Sequence, residues 1–344
     1  MTVHRLIGSP LAAIIFLVTA GTVSAQTQKE LLDELDRTIE EAESYVSAKE
    51  VRIKTIENTL HSRGVSPERQ YRIYGELFDE YQPFNYGKAV ETLDKQMEIA
   101  MLLGDKSKLN DVYLKEAMLN TAAGEFLEAR NDLARVDTTI FTKEQEIAYC
   151  NVQQRFWFDY DENLKGADKS MLRKVAYYRE RLLALADPSS SLSRYVTVRK
   201  YIDEKYFAQA DFINRHSLSR MDPASHDYAN LAYFQARICE SLNRREEMKN
   251  WFIRSAMADI KTATKDNASL FSLADALFKD GDYARAFKYS SFSLEDAIAF
   301  DAKLRQWQIS AILPAVQKSY TDIQQTHQKK TSNMLVAMYV LVFL

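Results

Sequence analysis

The chain has 344 residues, a formal net charge of −3, 46% hydrophobic and 27% charged residues, so it can bury a sizeable core and is too apolar for global disorder. Nine glycines and six prolines are too few for the frequent turns of an all-β fold. A pI near 6.1 excludes the basic face of a duplex-binding domain, so nucleic acid is not an expected partner.

In chain order, residues 1–25 read as a signal peptide. His4 and Arg5 are the positive start, Leu11 to Val18 the apolar run, and Val23-Ser24-Ala25 the small residues before a cleavage that leaves Gln26 first. The run is short for a membrane span, although an uncleaved anchor is the other reading. No cysteine lies near the cleavage point, which excludes a lipid-anchored N-terminus. The expected location is therefore outside the cytoplasm, in the periplasm.

Residues 26–64 form one long amphipathic pattern, with Leu31, Leu32, Leu35, Ile39, Ala42, Tyr45 and Val46 at near-helical spacing. This long N-terminal helix packs on the first repeat or serves as a coiled-coil dimerisation arm. The first is preferred because the heptads are not sustained. A homodimer stays open. Arg63-Gly64 ends the helix, and Ser66-Pro67-Glu68 caps and starts the next.

Residues 65–300 carry an internal repeat. Gly124 is followed two positions later by Phe126 and three after that by Ala129; Gly281, Tyr283 and Ala286 keep the same intervals. Ala117 precedes Ala129 as Ala274 precedes Ala286. The glycine suits a turn between antiparallel helices, the aromatic plugs the gap between helix ends, and the alanines let the helix axes approach. This spacing resembles the tetratricopeptide repeat, a helix-turn-helix unit of about 34 residues.

Weaker units follow the same scheme: Ala236, Asn243, Met248 and Phe252; Tyr86, Ala89 and Leu93; and Tyr206, Phe207, Ala208 and Ala210, whose register is open. Glu144 to Leu185 reads as a further pair with its turn at Asp161 to Lys165. The expected fold is all-α, a TPR-like solenoid of antiparallel helix pairs. Cys150 and Cys239 sit in apolar helical stretches and are expected as buried free thiols, with a disulfide as the alternative.

Residues 301–333 form a capping, juxtamembrane helix through Leu304, Trp307, Ile309, Ile312, Leu313, Val316 and Tyr320, which Pro314 should bend. Met334 to Leu344 carries no charge and is expected to begin a transmembrane helix that anchors the domain in the inner membrane. Leu304 to Pro314, Tyr320 and this apolar end resemble the juxtamembrane region of Bacteroides-type membrane-anchored regulators. The resemblance implies an exported tetratricopeptide domain, one transmembrane helix, then a cytoplasmic coiled coil and often a DNA-binding end. This chain departs from that layout by ending inside the membrane helix.

Catalytic chemistry is not indicated. The five histidines are His4, His61, His216, His226 and His327, with no HExxH, CxxC, Walker loop, GxGxxG or GxSxG, so no metal, cofactor or catalytic residue is expected. Acidic pairs such as Glu40-Glu41 and Asp159-Asp161 are expected as solvated faces. Helical spacing directs Asn230, Tyr233 and Arg237 of one repeat, and Asp275 and Lys279 of the next, toward a concave groove. Grooves of this fold take a peptide, a protein segment or a ligand. The expected function is a sensor or interaction domain of a regulator, with an envelope scaffold as the alternative.

Overall fold

The computed structural model describes residues 27–60, 62, 64–163, 169–265, 267–301 and 303–343. The signal peptide expected over 1–25 lies outside them. Among the described residues the secondary structure is helical, with six antiparallel pairs in succession. They are α3 (Pro67–Tyr81) with α4 (Tyr86–Leu103), α5 (Lys106–Ala123) with α6 (Phe126–Arg135), and α7 (Lys143–Asn163) with α8 (Lys169–Leu185). Then come α9 (Ser191–Asp203) with α10 (Phe207–Leu218), α11 (His226–Ser241) with α12 (Arg245–Lys261), and α13 (Ala268–Asp280) with α14 (Tyr283–Phe300). The tetratricopeptide-like solenoid expected from the repeat is present.

One turn recurs between paired helices. Gly124 and Gly281 both take the left-handed conformation at φ 86°, and the next amide reaches back across the helix end, Glu125 to Asn120 O at 2.8 Å and Asp282 to Leu277 O at 3.0 Å. Lys205 and Asn243 occupy the same place at φ 64° and 56°. Tyr206 N–H returns to Tyr201 O and Arg244 N–H to Cys239 O, both at 2.8 Å. That fixes the register left open at Tyr206: Lys205 stands where the glycine would, and Ala210 is the counterpart of Ala129 and Ala286.

All these alanines are closed off. Ala117, Ala129, Ala210, Ala236 and Ala286 are 0% exposed and Ala274 is 1%, which leaves room only for a methyl where the helices cross. Phe126 packs edge-on against Phe156 and Tyr160, and Tyr283 against Phe278. Cys150 and Cys239 are free buried thiols in separate cores.

The N-terminal segment departs from expectation. It is two helices, α1 (Gln28–Glu40) and α2 (Ala42–Leu60), separated at Glu41. Only α2 packs on the first repeat, through Ile53 with Ile73 and Leu77. The α1 helix docks instead on the last repeats, where Leu31, Leu32 and Leu35 join Ile253, Met257, Ile260 and Tyr289 in one core. The apolar stripe stays on the last repeats past the break, through Ala42 and Tyr45, and turns to the first repeat only from Ile53 on.

The two ends of the solenoid therefore meet. Lys265 N–H donates to Pro83 O at 2.8 Å, Tyr86 lies edge-on to Phe300 at 6.4 Å, and Lys303 pairs with Glu125. The helices wind into a closed ring about a hollow centre.

After Lys303 the chain continues as α15 (Lys303–Phe343), a single 41-residue helix that runs on through Pro314. Ile309 and Val316 are buried against the last repeats, Tyr320 stacks on Phe287 at 5.0 Å, and residues 321–341 are exposed. Among the described residues no helix is long and apolar enough to cross a membrane, which overturns the expected C-terminal transmembrane helix and the membrane contact drawn from it. The uncharged stretch spans about 15 Å as a helix, half the hydrocarbon thickness. Among the described residues, any 18-residue window that holds this stretch takes in Lys329 and Lys330.

Candidate functional site

The hollow centre holds two adjoining cavities of about 1200 and 580 Å³. Arg155, Tyr195, His226 and Asn230 line both, so they form one chamber. Its walls come from both ends of the array. Lys49, Arg52 and Ile56 of α2 face it from one side, and Arg305 and Gln308 of α15 from another.

One face of α7 supplies the densest chemistry. Arg155, Phe158, Asp159 and Glu162 recur at helical spacing and line the smaller cavity, while Phe156 on the opposite face is buried in the repeat core. Arg155 Nε donates to Asp159 Oδ2 at 3.2 Å. Across the cavity, the Arg199 guanidinium of α9 stacks 3.8 Å above Phe158 and donates to Asp203 Oδ1 at 3.2 Å. Asp203 also accepts from Arg179 at 2.7 Å. Arg179 is 5% exposed, and among the described residues its Nε has no hydrogen-bond partner.

Glu162 is open to the cavity yet walled by protein. Burial pushes its carboxyl above the ordinary range; Arg199 offsets part of this and Asp159 adds to it. On α2, burial lowers Lys49 although it pairs with Glu80 at 3.1 Å. The chamber is thus lined by fixed charges of both signs beside the aromatic faces of Phe158, Tyr195, Tyr233 and Phe234. Such a lining suits a polar ligand with apolar faces. Among the described residues, no group of three or more His, Cys, Asp or Glu could hold a metal ion.

The structure divides the residues that spacing had directed to one groove. Asn230 and Tyr233 line the chamber, although Tyr233 is half-buried and also packs on Phe252. Arg237, Asp275 and Lys279 line a separate cleft of about 450 Å³. There Asp275 pairs with Lys279 at 2.6 Å and Arg237 with Glu240 at 2.6 Å.

The repeat positions Ala117, Gly124, Phe126, Ala129, Ala236, Ala274, Gly281, Tyr283 and Ala286 shape the helix pairs, and only Phe126 among them also lines the chamber. Of the α7 and α9 residues only Asp159 stands out in the sequence, as one of an acidic pair. Their signal was a polar stripe, Arg155, Asp159 and Glu162, opposite a buried one. The pair Asp159-Asp161, expected on a solvated face, is not there: Asp161 is 8% exposed and Asp159 lines the chamber.

A comparison with protein families matches residues 39–311 to the family described as SusR N-terminal TPR domain. Among curated proteins, none matches. The matched span takes in all six helix pairs and the start of α15. Tetratricopeptide domains generally mediate protein–protein interaction, and a helical ring about a lined chamber agrees with a recognition module. The chain belongs to the SusR N-terminal TPR domain family.

Proposed function

We propose that this chain is the receiving domain of a regulator, exported to the periplasm and non-catalytic, which takes a peptide, protein segment or small ligand into the central chamber. The observation that carries the reading is the chamber itself. Its walls draw on α2, α7, α9, α11, α12 and α15, so an occupant touches both ends of the ring at once. Binding that favours one ring curvature shifts the population toward it. The α15 helix brings Arg305 and Gln308 to the chamber and carries its exposed half outward, so a change of curvature moves α15.

The test is native mass spectrometry of the full chain with a pool of short peptides and polar metabolites, comparing wild type with Asn230→Trp. Expected is a bound species that the tryptophan abolishes while the fold, by circular dichroism, is retained. Equal binding by both proteins would move the site out of the chamber. No bound species, together with an unchanged regulatory output in Asn230→Trp cells, would favour an envelope scaffold.

A further inference from the structure

Outside the chamber, α1 packs on a surface of α12 and α14. The α1 helix is a self-contained unit. Thr27 and Glu30 form a capping box at its start, and Glu41 closes its end. The family match begins at residue 39, so it contains the surface that α1 covers and almost nothing of α1. That surface is a groove on α12 and α14, floored by Ile253, Met257, Ile260 and Tyr289. Its rim is basic.

The helix seated there is acidic and matches the rim charge by charge. Arg285 donates to Asp33 at 2.6 Å and to Asp36 at 2.9 Å. Lys288 donates to Asp36 at 3.0 Å and lies 3.5 Å from Glu40, and Lys261 lies 3.9 Å from Glu34. On the apolar side Leu31, Leu32 and Leu35 are 1, 6 and 0% exposed. The contact is thus a helix laid in a groove by its apolar face, with charges at the edge to set its orientation.

We propose that the α12–α14 groove is a helix-docking site, that α1 is its resident occupant, and that it accepts in trans an acidic amphipathic helix of a partner protein with the same pattern. That pattern is leucines at the first, second and fifth positions and acids at the third and sixth. Capture of the partner releases α1. The α2 wall of the chamber stays on the first repeat, held by Ile53 against Ile73 and Leu77 and by the Lys49–Glu80 pair.

The probe is a labelled synthetic peptide of residues 27–41, titrated into the full chain and read by fluorescence anisotropy and by deuterium uptake. Saturable binding is expected, with uptake rising in the chain's own α1 and unchanged in α11 and α13. A peptide carrying Asp33→Lys and Asp36→Lys should bind at least about tenfold more weakly. An Arg285→Glu, Lys288→Glu chain should reverse that preference, which separates charge recognition from loss of fold. The variant Leu35→Ala loosens the resident helix without touching the rim and should capture the wild-type peptide more tightly. Failure of both wild type and Leu35→Ala to bind, or equal binding of the charge-reversed peptide, overturns the proposal. A dimer that forms on concentration without peptide, and that added peptide disperses, would hand the groove to a second copy and overturn the assignment to a separate partner.

Discussion

Arg285 Nε donates to Asp36 Oδ2 at 2.9 Å across 249 positions of sequence. Asp36 also accepts from Lys288 at 3.0 Å and from the Tyr289 hydroxyl at 3.2 Å. These side chains are 22 to 37% exposed except for Tyr289, which is fully buried. Loss of the Asp36 carboxylate leaves Arg285 with Asp33 and Asp282 but leaves the Tyr289 hydroxyl without this acceptor. Asp36→Ala is expected to cost about 1–3 kcal/mol. In amide exchange, α1 should lose protection first while α11 keeps its own. Equal loss across both helices would mean that α1 and the ring unfold as one unit.

The same carboxyl sets an acid limit. Burial raises Asp36, but hydrogen bonds and charge from Lys288 and Arg285 outweigh it, and the group ends below its ordinary value. A carboxyl depressed in the folded state stabilises it above the unfolded value near 3.8 and loses that contribution as the pH falls through the folded one. Docking of α1 should therefore hold from neutral pH down to about 4 and weaken below it. Exchange rates in α1 against pH, compared with Asp36→Asn, check this. The variant's curve should lack the acid step.

Glu116 runs the other way. Burial first, then Asp132, pushes its carboxyl up to about 7, although Arg135 offsets part of the shift. The side chain is 13% exposed. A raised carboxyl favours the fold most when protonated, and that advantage fades as the pH rises from about 4.5 through about 7. Glu116→Gln is expected to stabilise the protein by about 3 kcal/mol at pH 8 and by almost nothing at pH 4. Thermal melts at the two pH values measure the difference. A destabilised variant at pH 8 would show that the Glu116–Arg135 pair outweighs the burial cost.

The recurring turn gives a pair of opposite predictions. A Cβ on Gly281 would meet no atom within 4 Å, so Gly281→Ala should cost about 1–2 kcal/mol through the left-handed backbone alone. Lys205 already bears that strain at φ 64°. Lys205→Gly should stabilise by about 0.5–1 kcal/mol, read from urea midpoints. No gain would mean that unfolded-state entropy cancels the relief.

The repeat was legible because its physics is local. Gly124 with Phe126 and Ala129, and Gly281 with Tyr283 and Ala286, encode a turn and a crossing within a dozen residues. Lys205 obscured the same turn because the left-handed position is filled without glycine. The docking of α1 was not legible, since Asp36 carries no mark of a partner in α14. The chamber was half legible: Asn230 followed from helix spacing, whereas Arg199 over Phe158 depends on how two non-adjacent helices meet. The tail at Met334 is expected from its lack of charge to begin a membrane span, but among the described residues no helix is long and apolar enough to cross a membrane; lack of charge over half a bilayer's length does not tell a membrane helix from an exposed one.

Ring closure also changes the order in which this protein can be made. An open solenoid can fold repeat by repeat as each emerges, since every unit needs only its neighbour. Here the first helix of the described chain has its partners in α12 and α14. Until those are synthesised, Leu31, Leu32 and Leu35 have nowhere native to go, and closing so long a loop is slow. The N-terminal leucines are thus exposed for most of the chain's synthesis, and α1 is the natural place for a holding factor to grip the nascent protein. Deleting one central repeat would shift the α12–α14 groove relative to α2 and deny α1 its seat, so this array is expected not to tolerate the repeat-number changes that open solenoids accept.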